Sequence, residues 1–163
     1  MTPIDLHIHT CYSSDGEMTV AAIVDRCLQN KIDFFSVTDH NSVKGNEIAS
    51  KLAGEKDLHF ISGIEIDCNY EGTDLHLLGY GINHESADFR FLEDDIYQKS
   101  MLVFDSMIDK LNKLGFTINR EAVINKAEGK LPTGELIAEV MLADEKYHTP
   151  LLEPYMPEGE RSD

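Results

Sequence analysis

The stretch DLHIHTCYSSDG, residues 5–16, places two histidines one residue apart after a short apolar run and follows them with an acidic turn. Side chains two positions apart in a β-strand point to the same face, so His7 and His9 project together. Gly16 gives the following loop the backbone freedom to fold Asp15 back over the strand end. The stretch therefore predicts a strand with a pair of imidazoles at its carboxyl end.

Short apolar runs alternate with helical patterns through the first half of the chain. This alternation is typical of βα units and of a mostly parallel sheet. The apolar runs contain few polar residues, which is expected of strands that are covered on both faces. Thr19 and Ser42 are candidate N-caps. The predicted strands are Ile4 to His9, Phe34 to His40, Phe60 to Asp67 and Leu75 to Gly81; the predicted helices run from Thr19 to Lys31 and from Ser42 to near Gly54.

The second half is predicted to be helical. Between Ala87 and Leu114 apolar residues recur at steps of three, four and seven, which draws one stripe on a long helix. The change of pattern near residues 82–88 predicts two structural parts, residues 1–85 and residues 86–163. The other expected features are a C-cap at Gly115, helices over Arg120 to Glu128 and Gly134 to Asp144 with caps at Asn119 and Thr133, and a loop over LLEPYMPEGERSD, residues 151–163.

Composition narrows the classes of function. Thirty acidic and fourteen basic residues give the 163-residue chain a formal charge of −16, which argues against binding extended nucleic acid. No apolar run resembles a membrane span or a signal peptide, so we expect a cytoplasmic location. Cys11, Cys27 and Cys68 are odd in number and form no C-x-x-C pair, which argues against a disulfide scaffold or a zinc knuckle. Cys11 is either a soft metal ligand or a small apolar filler.

Polar residues recur at the ends of the other predicted strands. Burying an imidazole or a carboxylate costs several kcal/mol unless the group is paired or bound to a cation. In barrels and open α/β sheets the carboxyl edge of the sheet is where ligands bind. We therefore expect these side chains to converge on one metal site, whose candidate ligands are His7, His9, Asp15, His40, Glu65 and His76.

The mixed ligand set suits zinc, manganese or iron. Glu65 has two carboxylate oxygens and could bridge two ions, and paired ions can polarise a phosphoryl oxygen and supply hydroxide near neutral pH. Asp5, Asp39 and Asp67 are either acceptors for the ligand imidazole N–H groups or ordinary strand-end acids. His59, His84 and His148 are not expected to bind metal.

The sequences HIHTCYSSDG, TDH, GIE and HLLGY occur in this order within residues 4–82. They resemble the polymerase and histidinol phosphatase (PHP) family, and most closely its small metal-dependent phosphoesterase branch. The resemblance implies an α/β fold, a distorted (β/α)₇ TIM-like barrel with a trinuclear site. His7, His9 and Glu65 would hold one ion, Glu65 and His76 a second, and Asp15 and His40 a third.

The resemblance also implies a helical insertion that covers the site, over Phe89 to about Asp144. Family members continue with further strands that supply a histidine near a His-Pro pair and a final D-x-H pair, which this chain lacks. The chain is thus expected to be the first part of the barrel plus the insertion. Where relatives have G-R-P-H-I-A, Thr133 to Ala138 reads TGELIA, which removes groups that could grip a phosphate.

The leading hypothesis is a divalent-metal phosphoesterase that hydrolyses a small phosphorylated metabolite or nucleotide through metal-activated hydroxide. One rival is a non-catalytic metal-binding half-barrel that forms a homo-oligomer, because an open sheet leaves an unpaired edge. Another is an exonuclease-type PHP domain, and the acidic charge counts against it. Hydrolysis through Cys11 and a histidine is disfavoured, because no third group is placed to orient the pair.

Overall fold

A computed structural model describes residues 3–147 of the chain. Contacts between residues group the chain into two compact units, and the boundary between the units lies between Ile96 and Tyr97, inside the longest helix. The predicted boundary between residues 85 and 86 precedes this helix and stays a prediction. All six candidate ligands belong to the first unit.

The helices and strands of the structure follow the predicted order with small shifts at their ends. Thr19 is confirmed as the N-cap of the first helix, since its side chain accepts a hydrogen bond from the Ala22 amide. The strands are β1 (Ile4–Ile8), β2 (Phe34–Val37), β3 (His59–Tyr70) and β4 (Thr73–Tyr80); the helices are α1 (Val20–Gln29), α2 (Lys44–Glu55), α3 (Ala87–Lys113), α4 (Arg120–Lys126) and α5 (Gly134–Leu142), followed by a 3-10 turn at Glu145–Tyr147.

The four strands form one sheet in the order β1-β2-β3-β4. The first three are parallel, but β4 is antiparallel to β3. Glu71 and Gly72 alone connect the last two strands, both with positive φ (50° and 81°), and two residues cannot make the crossover that a parallel partner needs. The expectation that the fourth strand presents its carboxyl end at the ligand edge is therefore wrong, and its residues reach that edge through a hairpin.

The sheet is strongly curled. Although β1 and β4 are its two edge strands, the Tyr80 hydroxyl donates a hydrogen bond to the Leu6 carbonyl at 2.9 Å. Leu6 lies in the part of β1 where the pairing register with β2 is interrupted, between Asp5 and Ile8. The first unit is thus a partial barrel with helices after the strands, as the α/β prediction required.

Helices α1 and α2 cover the apolar face of β2. Phe35 and Val37 point to these helices, so Ser36 and Thr38 occupy the opposite face. The buried core of this layer is Val20, Ile23, Val24, Cys27, Phe35, Val37, Ala49 and Ala53.

The second predicted strand ends earlier than expected, at Val37 rather than His40. His40 pairs with β3 only through an isolated bridge to Glu65. Between Val37 and His40 the chain does not pair with Gly63 of β3, and the side chain of Asn46, in α2, pairs with the Gly63 backbone instead. Its amide donates to the Gly63 carbonyl and accepts from the Gly63 amide, both at 2.9 Å.

The prediction that Ser42 caps α2 is wrong. Val43 is the N-cap residue, and no side chain caps the helix from that position. The Val43 amide instead donates to the Glu93 carboxylate at 2.9 Å, while the Ser42 hydroxyl accepts from the Lys44 amide at 3.3 Å. A carboxylate from α3 thus satisfies a donor at the start of α2 that the serine does not reach.

The second unit packs its helices around a separate apolar cluster. Asn119 and Thr133 cap α4 and α5, as predicted. Gly115 adopts a positive φ of 97° directly after the long helix, which agrees with its predicted role as a C-cap.

No helix within residues 3–147 is both long and apolar enough to cross a membrane. The predicted terminal loop and His148 lie outside the described residues. The buried cluster is Phe104, Ile108, Ile118, Val123 and Ile137.

Candidate metal centre

Three donor atoms from the end of β1 and from β3 meet at one edge of the sheet. His7 Nε2 and His9 Nε2 lie 3.0 Å apart, and Glu65 Oε2 lies 2.8 Å from the first and 2.9 Å from the second. The Glu65 side chain is only 3% exposed, whereas the His7 side chain is half exposed. A buried carboxylate therefore faces two imidazoles at the rim of the partial barrel.

The spacing of these three atoms fits a shared divalent cation. Donors held about 2.1 Å from one ion are about 3.0 Å apart at right angles and about 3.4 Å apart at the tetrahedral angle. Two imidazoles and a carboxylate are also ligands that zinc, manganese and iron accept. The residues present thus fit such an ion both in chemistry and in the separation of their donor atoms.

A second group lies on the other side of the His9 ring. His9 Nδ1 is 2.7 Å from Asp15 Oδ1, and His40 Nε2 is 3.6 Å from Asp15 Oδ2. The His9 and His40 rings meet edge to face with centroids 4.7 Å apart. His9, Asp15 and His40 form a further set of donors close enough to hold an ion.

The loop after β1 carries Asp15 back to the strand ends, as its sequence predicted. The Ser13 hydroxyl donates to Asp15 Oδ1 at 2.6 Å and accepts from the His40 amide at 3.2 Å. Gly16 packs against the backbone so closely that a Cβ atom there would lie 1.9 Å from the Thr10 carbonyl oxygen. This position therefore requires glycine.

The third group joins β3 to β4. His76 is opposite Asp67 in the hairpin register, and its Nδ1 lies 2.8 Å from Glu65 Oε1. The two Glu65 oxygens thus face different imidazoles: Oε2 faces β1, and Oε1 faces β4. His40, Asp67 and His76 are also close enough to count as a candidate set of ligands. All six sequence-predicted candidates are brought together in this region.

The electrostatics of the centre favour ionised carboxylates. Burial opposes ionisation of Asp15, but hydrogen bonds from Ser13 and His9 lower its pKa to about 2. Burial also opposes ionisation of Glu65, yet the hydrogen bond and charge of His7 and the neighbouring imidazoles lower its pKa. Burial alone would lower the pKa of His9, but Asp15 and Glu65 raise it above the ordinary value. Both carboxylates are therefore anionic at neutral pH, as cation ligands must be.

Of the three acids considered as acceptors for imidazole N–H groups, only Asp67 lies within hydrogen-bonding distance of an imidazole nitrogen. Its Oδ1 lies 2.7 Å from His40 Nδ1. Asp39 fits the other alternative, an acid that serves the strand end, since it is fully buried and accepts hydrogen bonds from the Thr10 amide and hydroxyl at 2.5 and 2.8 Å. Asp5 fits that alternative too, since it accepts from the His7 backbone amide at 3.3 Å.

Asp39 instead joins the ends of the first two strands. Burial raises the pKa of its carboxyl, although the two hydrogen bonds from Thr10 act in the opposite direction. Sequence reasoning assigned no role to Thr10, Ser13 or Asn41, because single hydroxyls and amides in loops carry no periodic signal.

The remaining candidates play no part in these groups. None of the three candidate ligand sets within residues 3–147 contains a cysteine. Cys11 is half-buried and Cys27 belongs to the apolar core. His59 stacks on Phe34 with ring centroids 4.4 Å apart, and His84 lies in the turn before α3.

Comparison with known proteins places the chain in a family. The PHP domain model matches residues 5–152. A 3′,5′-nucleoside bisphosphate phosphatase from Chromobacterium violaceum is 30% identical over 83 residues, which cover 51% of this chain and 29% of that protein. A 5′-3′ exoribonuclease from Haemophilus influenzae is 32% identical over 75 residues, covering 46% of this chain and 27% of that enzyme. The matched stretch is thus less than a third of these curated relatives.

Solved structures share the fold. A candidate metal-dependent phosphoesterase from Bifidobacterium adolescentis superposes with a TM-score of 0.71 at 22% identity, over 91% of this chain and 52% of that chain. An amidohydrolase from Chromobacterium violaceum with bound sulfate superposes with a TM-score of 0.71 at 21% identity, over 99% of this chain and 59% of that chain. This likeness shows the fold, and the match over residues 5–152 shows that the chain belongs to the PHP domain family.

Proposed function

We propose that the chain acts as a divalent-metal-dependent phosphoesterase. The observation that carries this proposal is the triangle of His7 Nε2, His9 Nε2 and Glu65 Oε2, whose edges are all 2.8 to 3.0 Å. Three donors of this kind, one of them a buried carboxylate, are costly to assemble without a cation to neutralise them.

The proposed ligands divide into sets that share residues. His7, His9 and Glu65 would hold one cation; Asp15 and His40 would hold another next to His9; Glu65 and His76 would contribute to a third. The chemistry that such cations would supply is activation of a water and polarisation of a phosphoryl oxygen. The metal is zinc, manganese or iron on the basis of the mixed nitrogen and oxygen donors.

The residues of the chain contribute orientation and charge. The Glu65 carboxylate is held between imidazoles on both of its oxygens, so it cannot rotate without losing a contact at 2.8 Å. Ser13 fixes the Asp15 carboxylate at 2.6 Å and ties it to the His40 backbone. No side-chain nucleophile is needed, because the attacking group is a water.

The substrate we propose is a phosphate ester of a nucleotide. This choice is supported by the relatives, since one is named a 3′,5′-nucleoside bisphosphate phosphatase and another a 5′-3′ exoribonuclease. The net charge of −16 favours a small substrate over a long nucleic acid, because extended RNA would be repelled. A nucleoside bisphosphate is therefore preferred to RNA.

The test is metal-dependent phosphate release by the purified chain. Zinc, manganese and iron content would be measured first, and then hydrolysis of a nucleoside 3′,5′-bisphosphate and of a short 5′-phosphorylated RNA. We expect His9→Ala to lower metal content and to reduce turnover by at least about a hundredfold. His59→Ala is the matched control, because His59 stacks on Phe34 away from the centre. Unchanged metal content and rate in His9→Ala would refute the proposal.

Two further predictions accompany this function. The exposed edges at β1 and β4 favour a homo-oligomer that covers them, and analytical ultracentrifugation measures its mass. The expected cytoplasmic location also stays a prediction. A chain that keeps metal, forms oligomers and releases no phosphate from either substrate would instead support the non-catalytic module.

A further inference from the structure

The two nitrogens of His40 face different surroundings. Its Nδ1 lies 2.7 Å from Asp67 Oδ1, which is hydrogen-bonding distance. Its Nε2 lies 3.6 Å from Asp15 Oδ2 and 3.8 Å from Glu65 Oε2, outside hydrogen-bonding range of both. A neutral imidazole carries one proton, and a carboxylate at 2.7 Å places that proton on Nδ1. The lone pair of Nε2 is then directed at the other acids of the centre.

Asn41 holds the carboxylate that selects this tautomer. Its Nδ2 donates to Asp67 Oδ2 at 2.7 Å, and its Oδ1 accepts from the Asp67 backbone amide at 2.9 Å. Its own backbone amide donates to the Glu65 carbonyl at 2.7 Å. Both side-chain groups of Asn41 and both Asp67 oxygens are therefore engaged, which leaves the Asp67 carboxylate little freedom to turn.

The backbone of Asn41 is adapted to this role. Its φ of 54° lies in the left-handed region, which asparagine tolerates better than most residues. This conformation turns the chain directly after the isolated bridge between His40 and β3. The Asn41 side chain therefore bridges the two strands next to a candidate ligand.

We propose that Asn41 and Asp67 are positioning residues that hold His40 as the Nδ1–H tautomer, so that Nε2 is its metal-binding atom. This inference rests on the proposed function for the identity of His40 as a ligand. The tautomer itself does not depend on that function. In this proposal His40 binds a cation, whereas Asn41 and Asp67 orient His40.

His40 belongs to two overlapping sets of candidate ligands. It could join Asp15 and His9 through Nε2, or Asp67 and His76 through Nδ1. The Asp67 and His76 set is the poorer one, because His76 Nε2 lies 3.7 Å from Asp67 and its Nδ1 already faces Glu65 at 2.8 Å. Asp67 then acts as the acceptor of a carboxylate–histidine–metal arrangement, in which outer partners affect affinity about 10- to 100-fold.

The first measurement is the tautomer of His40 in the metal-free protein, read from long-range proton–nitrogen-15 correlations of the imidazole. The pH would be about 8, above the ordinary imidazole pKa of about 6.5. We expect a proton on Nδ1 in the wild type and a mixture of tautomers in Asp67→Ala. A wild-type His40 that carries its proton on Nε2 would overturn the proposal, whether or not the protein binds metal.

The second measurement is the affinity for Mn²⁺ and Zn²⁺ by calorimetry. Asn41→Gly keeps the left-handed backbone but removes the contacts to Asp67, and we expect about tenfold weaker binding. Lys31→Gly is the matched control, since Lys31 has a similar φ of 57° and follows α1, and its affinity should equal that of the wild type. Binding by Asn41→Gly within twofold of the wild type would contradict the positioning role. Absence of binding by the wild type would refute the proposed function, and the tautomer would still decide the present inference.

Discussion

Replacing Asn46 with leucine tests whether one side chain substitutes for a missing strand in the sheet. Asn46 is fully buried in α2 and makes two hydrogen bonds of 2.9 Å with the backbone of Gly63. Its amide also donates to the Val43 carbonyl at 3.2 Å. In Asn46→Leu the buried Gly63 amide and carbonyl lose these partners, whereas the Val43 carbonyl keeps its bond to the Asn46 backbone amide.

The expected loss of stability follows from the Gly63 amide and carbonyl, which would be left without hydrogen-bond partners. Each buried, unpaired backbone group costs about 1–3 kcal/mol, so two cost about 2–6 kcal/mol. Leucine has the same branched arrangement of four side-chain heavy atoms as asparagine and regains part of this through apolar burial, by about 1–2 kcal/mol. From the midpoints of these two ranges, we expect Asn46→Leu to lower the free energy of unfolding by about 2.5 kcal/mol.

A second variant at the same position has a pH dependence of predictable sign. In Asn46→Asp an acid faces two carbonyls, those of Gly63 and Val43, and only its protonated form can donate to them. The folded-state pKa of this acid is then raised above its unfolded value of about 3.9. The variant is accordingly most stable below that value and loses stability as the pH rises towards the folded-state pKa. Asn46→Leu should show no such additional pH dependence.

The assay is urea unfolding followed by circular dichroism at several pH values. Asn125→Leu provides the matched control, because Asn125 is exposed on α4 and the same substitution there should change stability by no more than about 0.5 kcal/mol. An Asn46→Leu protein as stable as this control would show that the Gly63 backbone groups find other partners. The reasoning about the interrupted ladder would then be wrong.

Other perturbations probe the same region. A Cβ in Gly63→Ala would lie 2.4 Å from Ser36 Oγ, so we expect a loss of about 1–3 kcal/mol in urea unfolding, partly restored when Ser36→Ala is added. The free energy of unfolding of Asp39→Asn should stay within about 1 kcal/mol of the wild type in the same assay, because the new amide can still pair with Thr10. Asp39→Leu cannot pair with Thr10 and should lose about 2–4 kcal/mol. Equal losses in the two variants would contradict this expectation. A divalent cation at about 100 times its Kd should stabilise the wild type by about 2.7 kcal/mol in thermal unfolding. Glu65→Gln should lose most of this gain, and an undiminished gain would exclude Glu65 as a ligand.

The convergence of the candidate ligands was largely predictable from the sequence. Polar residues such as His7 and Glu65 interrupt strands that are otherwise apolar, and the cost of burying them points to a shared purpose. The direction of β4 was not predictable from the apolar pattern, because strands of either direction can be apolar. The link Glu71–Gly72 indicates that β4 is antiparallel to β3, since a two-residue connection with glycine is typical of a hairpin.

The contacts that support the ligands could not be predicted in the same way. Asn46 reads as an ordinary polar residue of an amphipathic helix, and nothing in its spacing indicates that it pairs with Gly63. Asn41 likewise reads as a turn residue after the second strand. Both roles depend on where β2 stops pairing with β3, and pattern reasoning placed that end at His40 instead of Val37.

This early end of β2 has a chemical consequence. A regular ladder up to His40 would satisfy every backbone group with another strand. Side chains now replace the missing ladder bonds, with Asn46 on Gly63 and Asn41 on Asp67. The backbone after Val37 still bonds to Ile8 and to Glu65, and the chain turns at Asn41, whose φ is 54°. His40 Nε2 then lies 3.6 Å from the Asp15 carboxylate and 3.8 Å from that of Glu65. The irregular strand end is therefore part of the centre, because it satisfies the buried backbone while directing an imidazole towards the carboxylates.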